Sequence, residues 1–276
     1  MKLGRVWRWI ALGLAGLSLY VILLIVFMPA TYLARAVDKL NRDIGLQQAS
    51  GTLWHGGALL VSKRGRETPI GRIHWDIHPW RLLGGTFVAD IAFNGSGIEG
   101  RGTFEAGLQR YLLQSVNVNA SAPSLSRLYP PASLIGLSGH LQITADSIEL
   151  EHDAVRGKAD VVWNDAASRL VSVEKIGTYR MQITGEGKHV GIAVSTVQGT
   201  LWINGKGEWR LFGDGTMRIK GGITAKPPVP ATLEPMLNTI GPLQPNGERA
   251  FNFETRLTPI KIPTLRQASG TTNTEQ

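Results

Sequence analysis

The chain has 276 residues, 43% of them apolar, with 33 Gly, 14 Pro and a formal net charge of +8. This is the composition of a folded protein of one large or two smaller domains, not of a disordered chain. Cysteine is absent, which removes disulfide frameworks, thiolate nucleophiles and Cys-based zinc or iron–sulfur sites together.

No charged side chain occurs from Trp9 to Ala34, and the apolar centre Ile10 to Met28 would span about 28 Å as a helix, close to the hydrocarbon thickness of a bilayer. Residues 9–30 therefore read as a transmembrane signal anchor, with Ile10, Leu14, Leu17, Val21, Leu24 and Met28 in the membrane. Lys2, Arg5 and Arg8 precede it without an acid, so residues 1–8 form a cytoplasmic tail and the remainder is sent across the membrane. A cleaved signal peptide is the alternative, with Ala34-Arg35-Ala36 as a small-x-small site. Setting Lys2, Arg5 and Arg8 aside, 26 basic residues (29 − 3) face 21 acids, an excess of +5. No basic cluster interleaved with aromatics appears, so no nucleic-acid partner is expected.

Residues 31–45 follow as a juxtamembrane helix, its stripe Leu33, Val37, Leu40 and Ile44 spaced four, three and four apart, ending near Gly45. Its charged face is mixed in sign, which favours packing on the outer domain over lying on a membrane surface.

From Leu46 onward the periodicity becomes two. Ile73, Trp75 and Ile77 alternate with His74, Asp76 and His78. Phe87, Ala89, Ile91 and Phe93 follow in the same steps, with Val88 the exception. Turns at Gly95-Ser96-Gly97, Gly185-Glu186-Gly187 and Gly213-Asp214-Gly215 make these antiparallel strands joined by short hairpins. Residues 46–262 are one β domain: imperfect repeats at about 46–120 and 136–225, and a closing segment 226–262. Gly51-Thr52-Leu53-Trp54 recurs as Gly199-Thr200-Leu201-Trp202, and Gly71-x3-Trp75 resembles Gly157-x5-Trp163. Each Gly-Thr-Leu-Trp reads as a strand entry with a core tryptophan, so Trp54→Ala and Trp202→Ala would each cost roughly 3 to 5 kcal/mol if the rings are fully buried. The Pro-rich segments 121–135 and 226–247 each leave room for one short helix, with Leu233, Met236, Leu237 and Ile240 as the stripe of the second. Residues 263–276 read as a disordered tail.

Chemistry is thinly represented. Gly95-x-Gly97-x-x-Gly100 matches a dinucleotide fingerprint, but Arg101-Gly102-Thr103-Phe104 continues as strand where a helix is required. His74, Asp76 and His78 share one strand face and are weak candidates for a metal, since same-face residues stand roughly 7 Å apart and no fourth ligand is identifiable. A solvated polar face is the plainer reading. No cofactor and no catalytic residue is expected.

The chain resembles the general secretion pathway protein N family of the bacterial type II secretion system. The likeness is carried by the anchor and by Ser50-Gly51-Thr52-Leu53-Trp54-His55-Gly56-Gly57-Ala58. Downstream it continues in Ile73-His74-Trp75, Gly157 to Trp163, Gly199-Thr200-Leu201-Trp202 and Leu233-x3-Leu237-x2-Ile240-Gly241. It implies a non-enzymatic, single-pass inner-membrane protein with a periplasmic domain, partnered by other secretion subunits of the inner-membrane platform and periplasm. The family looks related to AsmA-like proteins. The implied fold is mainly β: an N-terminal transmembrane helix, then a curved antiparallel half-pipe or open barrel of imperfect repeats with short capping helices. That relation implies an alternative too, a periplasmic protein that binds or transfers lipid.

Overall fold

In the computed structural model the described residues are 3–40, 43–63, 67–124, 136–168, 175–226, 237–238 and 240–257, without the side chains of 3–6 and 8–11. The long apolar run forms α1 (Leu3–Val26), and Pro29 separates it from α2 (Thr31–Leu40). Strands follow: β1 (Ile44–Gly51), β2 (His55–Ser62) and β3 (Thr68–Ile77), then the single-turn α3 (Pro79–Leu82), then β4 (Phe87–Gly95), β5 (Ile98–Ala106) and β6 (Arg110–Ser121). The second run is β7 (Leu137–Glu151), β8 (Ala154–Ser168), β9 (Gly177–Gly187), β10 (His189–Gly199), β11 (Leu201–Trp209), β12 (Thr216–Ala225) and β13 (Arg249–Arg256).

The thirteen strands form one sheet in sequence order, every neighbouring pair antiparallel. Short hairpins dictate this order, because strands joined by a few residues have no room to cross over. The sheet is open, with β1 and β13 at its ends. Bulges interrupt the register, and three of them hold a non-glycine residue at left-handed φ: Gln48 at 51°, Ser115 at 51° and Asp165 at 49°. Each extra residue bends its strand and breaks strict alternation.

The register assembles the odd-position apolar residues of β3 into a common face. Ile73, Trp75 and Ile77 stand opposite Phe93, Ile91 and Ala89 of β4; further along, Leu141, Trp163 and Tyr179 stand in one row across β7, β8 and β9. Val88 is buried at the end of β4 that α3 packs against, which accounts for its break in the pattern. A single layer gives small separate cores rather than one large one. The first gathers Ala30, Ala34, Leu46, Ala58, Trp75, Ile77 and Ala89; the second Ile176, Leu201, Ile223 and Leu237; the third Val155, Val190 and Leu211.

The second helix departs from expectation at its C-terminal end. Leu33 and Val37 do pack on the first core, but α2 stops at Leu40, which is 87% exposed, and Ile44 and Gly45 belong to β1. The side chains from Leu12 to Val26 in α1, and Phe27 after it, are exposed; among the residues whose side chains are described no helix is long and apolar enough to cross a membrane. Most of the helix expected within 226–247 lies outside the described residues, though Leu237 and Ile240 pack on the second core. The tail 263–276 and most of 121–135 also lie outside them.

Candidate functional site

The first Gly-Thr-Leu-Trp is not a strand entry. Gly51 closes β1, and Thr52, Leu53 and Trp54 turn into β2, which starts at His55. Thr52 holds the turn: its N–H donates to the His55 carbonyl at 2.8 Å, and its hydroxyl accepts from the His55 N–H at 3.1 Å. Gly51 sits at φ 88°, where a side chain is strained.

This turn takes hold of the end of α1. The Trp54 indole N–H donates to the Ile25 carbonyl at 2.8 Å, the Leu53 N–H to the Met28 carbonyl at 2.7 Å and the Ala30 N–H to the Gly51 carbonyl at 3.1 Å. The Ile25 carbonyl, at the end of the helix, also accepts the Met28 N–H at 3.3 Å, so the indole is its second and shorter donor. Trp75 secures the turn from below, buried to 7% exposure, with its indole N–H on the Leu53 carbonyl at 3.0 Å. Gly56 is required for that packing, since a Cβ there would lie 2.6 Å from Trp75 Cζ2. Ser50 adds a hydroxyl donated to the Gly57 carbonyl at 3.5 Å. The motif Ser50 to Gly56, together with Trp75, is thus a joint between helix and sheet.

The second copy closes a hairpin between β10 and β11. Gly199 ends β10 and Leu201 begins β11. Leu201 enters the second core, while Trp202 turns outward at 39% exposure, under the Lys226 ammonium at 3.6 Å from its ring. Thr200 links neighbours, donating its N–H to the Ile176 carbonyl and accepting from the Lys226 N–H, each at 2.9 Å. The core tryptophan expected here is therefore replaced by Leu201, because alternation puts adjacent residues on opposite faces. Trp163 behaves like Trp75, its indole N–H donated to the Ser138 carbonyl at 2.9 Å and its ring 6.3 Å from that of Tyr179. Burial pushes the Tyr179 phenol up to about 12, so it carries no charge at neutral pH.

His74, Asp76 and His78 do not converge. His78 lies beyond β3 as the residue before α3, and its Nε2 meets Asp90 Oδ2 at 2.9 Å; Asp76 Oδ1 instead meets His55 Nδ1 at 2.8 Å. The register decides this, since His55 stands directly opposite Asp76 across β2 and β3. Hydrogen bonds from Thr103 and then His78 hold the Asp90 carboxyl below its ordinary value. Among the described residues no group of three or more His, Cys, Asp or Glu side chains is placed to hold a metal ion. Gly95 to Gly100 is a two-residue hairpin, with Ser96 and Gly97 at φ 53° and 77° and Gly95 paired to Ile98. A shallow groove of about 640 Å³ crosses β3 to β7, rimmed by His74, Asp76, Asp90, Arg101 and Asp146.

The feature that stands out is the joint between an apolar helix and the first turn of the sheet. Residues 42–253 match the family model described as type II secretion system (T2SS), protein N. The chain belongs to the type II secretion system protein N family. Two curated members of that family align over most of their length. The type II secretion system protein N of Pectobacterium carotovorum subsp. carotovorum is 27% identical over 255 residues, 90% of this chain and 97% of that protein. Its namesake in Klebsiella pneumoniae is 26% identical over 231 residues, 81% and 86% of the two chains. No solved structure matches. Within this protein N chain, the joint at Ser50 to Gly56 falls inside the matched region and α1 falls before it.

Proposed function

We propose that this chain is a non-enzymatic inner-membrane component of a bacterial type II secretion system. In this reading α1 spans the membrane, the short N-terminus is cytoplasmic and the sheet stands in the periplasm. There it supports export of folded proteins across the outer membrane by binding other subunits of the platform and periplasm. The observation that carries the reading is the joint: an apolar helix, exposed from Leu12 to Phe27, is fixed at Ile25 and Met28 to the turn Thr52–Trp54 of the sheet. Such a helix is costly in water and at home in hydrocarbon. Partner binding has a physical basis in the outer edge of β13, which among the described residues is bridged only at Arg249, by Leu243, and beyond it can accept an extended strand. The lipid-carrier alternative has less to rest on, because the groove across β3 to β7 is shallow and open and does not enclose a ligand.

The chain has no cysteine, so single cysteines report topology without background. Ser96→Cys is expected to react with a membrane-impermeant maleimide once the outer membrane alone is opened, and Lys2→Cys only after lysis. Protection of Ser96→Cys until lysis overturns the topology. Exoprotein release unchanged by chromosomal deletion overturns the role in secretion.

A further inference from the structure

Sequential antiparallel strands send alternate turns to opposite ends of the sheet. The turn Thr52–Trp54, which grips α1, marks one end. β3 returns to it, and the Ile77 N–H donates to the Trp54 carbonyl at 2.6 Å, so α3 and the residues after it emerge beside the joint. β5 returns as well: Ala106 pairs with Phe87, the first residue of β4, which puts the turn Gly107–Gln109 next to α3.

Those two turns carry large apolar side chains with almost no protein around them. Trp80 is 81% exposed, Leu83 82%, Leu108 77% and Leu82 42%. At the opposite end, the hairpin between β4 and β5 is turned by the small residues Ser96 and Gly97. Isolated exposed leucines need no explanation, but a tryptophan and three leucines on adjacent turns at one end form a patch. Exposed Arg81 stands among them. Tryptophan with leucine and a basic side chain is the composition that settles at the headgroup level of a bilayer.

We propose that Trp80, Leu82, Leu83 and Leu108 form a second membrane contact, entering the interface of the leaflet from which α1 emerges. The occupant is fixed by continuity, since the patch adjoins the turn that holds the end of the apolar helix; the inference rests on α1 being a membrane anchor. With α1 alone the sheet can swing about the joint, whereas a second contact sets its angle to the bilayer.

The test uses the full chain in nanodiscs of phosphatidylethanolamine and phosphatidylglycerol, with a nitroxide lipid quencher at headgroup depth. Fluorophores on Leu83→Cys and Leu108→Cys are expected to be quenched several-fold more than one on Ser96→Cys. Equal quenching at the three sites overturns the proposal. So does a W80A/L83A variant, made with the label on Leu108→Cys, that keeps the parent's quenching or melts well below it. Protection of Leu83→Cys from maleimide in native membranes, with free reaction in nanodiscs of the purified chain, means a protein partner covers the patch and also overturns it. Extraction of the wild-type chain from membranes at alkaline pH tests the anchor separately. Release there refutes the anchor, while quenching that persists on vesicles still supports the surface contact.

Discussion

At the residue scale, the tryptophans divide by where their indole N–H is spent. Trp75 is buried and bonds to the turn at Leu53, Trp54 is half-buried and bonds to the helix, and Trp202 faces outward under Lys226 with its N–H on the Gly199 carbonyl. Truncation to alanine should therefore cost about 3 to 5 kcal/mol at Trp75, where a cavity replaces the ring. It should cost less at Trp54, and no more than about 1 kcal/mol at Trp202, where a cation–π contact and an exposed hydrogen bond to Gly199 are lost. Trp54→Phe isolates the hydrogen bond to Ile25 and should cost about 1 kcal/mol. Denaturant midpoints of the purified full chain check the order, and a Trp202→Ala loss equal to that of Trp75→Ala refutes it. Sequence alone treats Trp54 and Trp202 as equivalent because both follow Gly-Thr-Leu. Their difference comes from where the indole N–H goes: Trp54 reaches Ile25 outside the tetrapeptide, whereas Trp202 folds back on its own Gly199 beneath Lys226.

At the element scale, β13 shows how an edge strand is wired. The Leu257 N–H donates to the Gly215 carbonyl at 2.9 Å, so the odd residues of β13 bond toward β12 and the even ones point outward. Proline at Phe251 removes a ladder bond and should cost about 3 kcal/mol, whereas proline at Asn252 removes an outward N–H and should cost far less. Thermal melting of Phe251→Pro and Asn252→Pro distinguishes them, and equal losses would mean the register is wrong. The opposite edge is blunted, because α2 packs along β1 and the Leu46 N–H reaches Asp38 Oδ1 at 3.4 Å. The strands themselves were legible in the alternation of Ile73 to Ile77 and Phe87 to Phe93. The bulges were not, since Gln48, Ser115 and Asp165 are ordinary residues whose left-handed backbone is imposed by cross-strand pairing.

Across the whole molecule, backbone pairing runs only between neighbours in a row of thirteen strands. Stability then depends on each strand's length and on its two flanks. β7 and β8, each 15 residues long and paired on both sides, should show the slowest amide exchange, and the eight-residue edge strand β13 the fastest. Hydrogen exchange read by mass spectrometry checks this gradient, and uniform protection from β7 to β13 would overturn it. By itself the sequence determined the mainly β class, the antiparallel meander and the family, because period-two alternation, short glycine turns and the Ser50–Gly56 motif are all local signals. Only the tertiary structure decided that the first Gly-Thr-Leu-Trp is a turn gripping α1, that Trp202 faces outward, that His74, Asp76 and His78 part company, and that Trp80, Leu83 and Leu108 stand at one end. Each of these depends on which strand lies opposite and which turn lies alongside, and register and topology place residues distant in sequence together without leaving a mark in any one stretch of it.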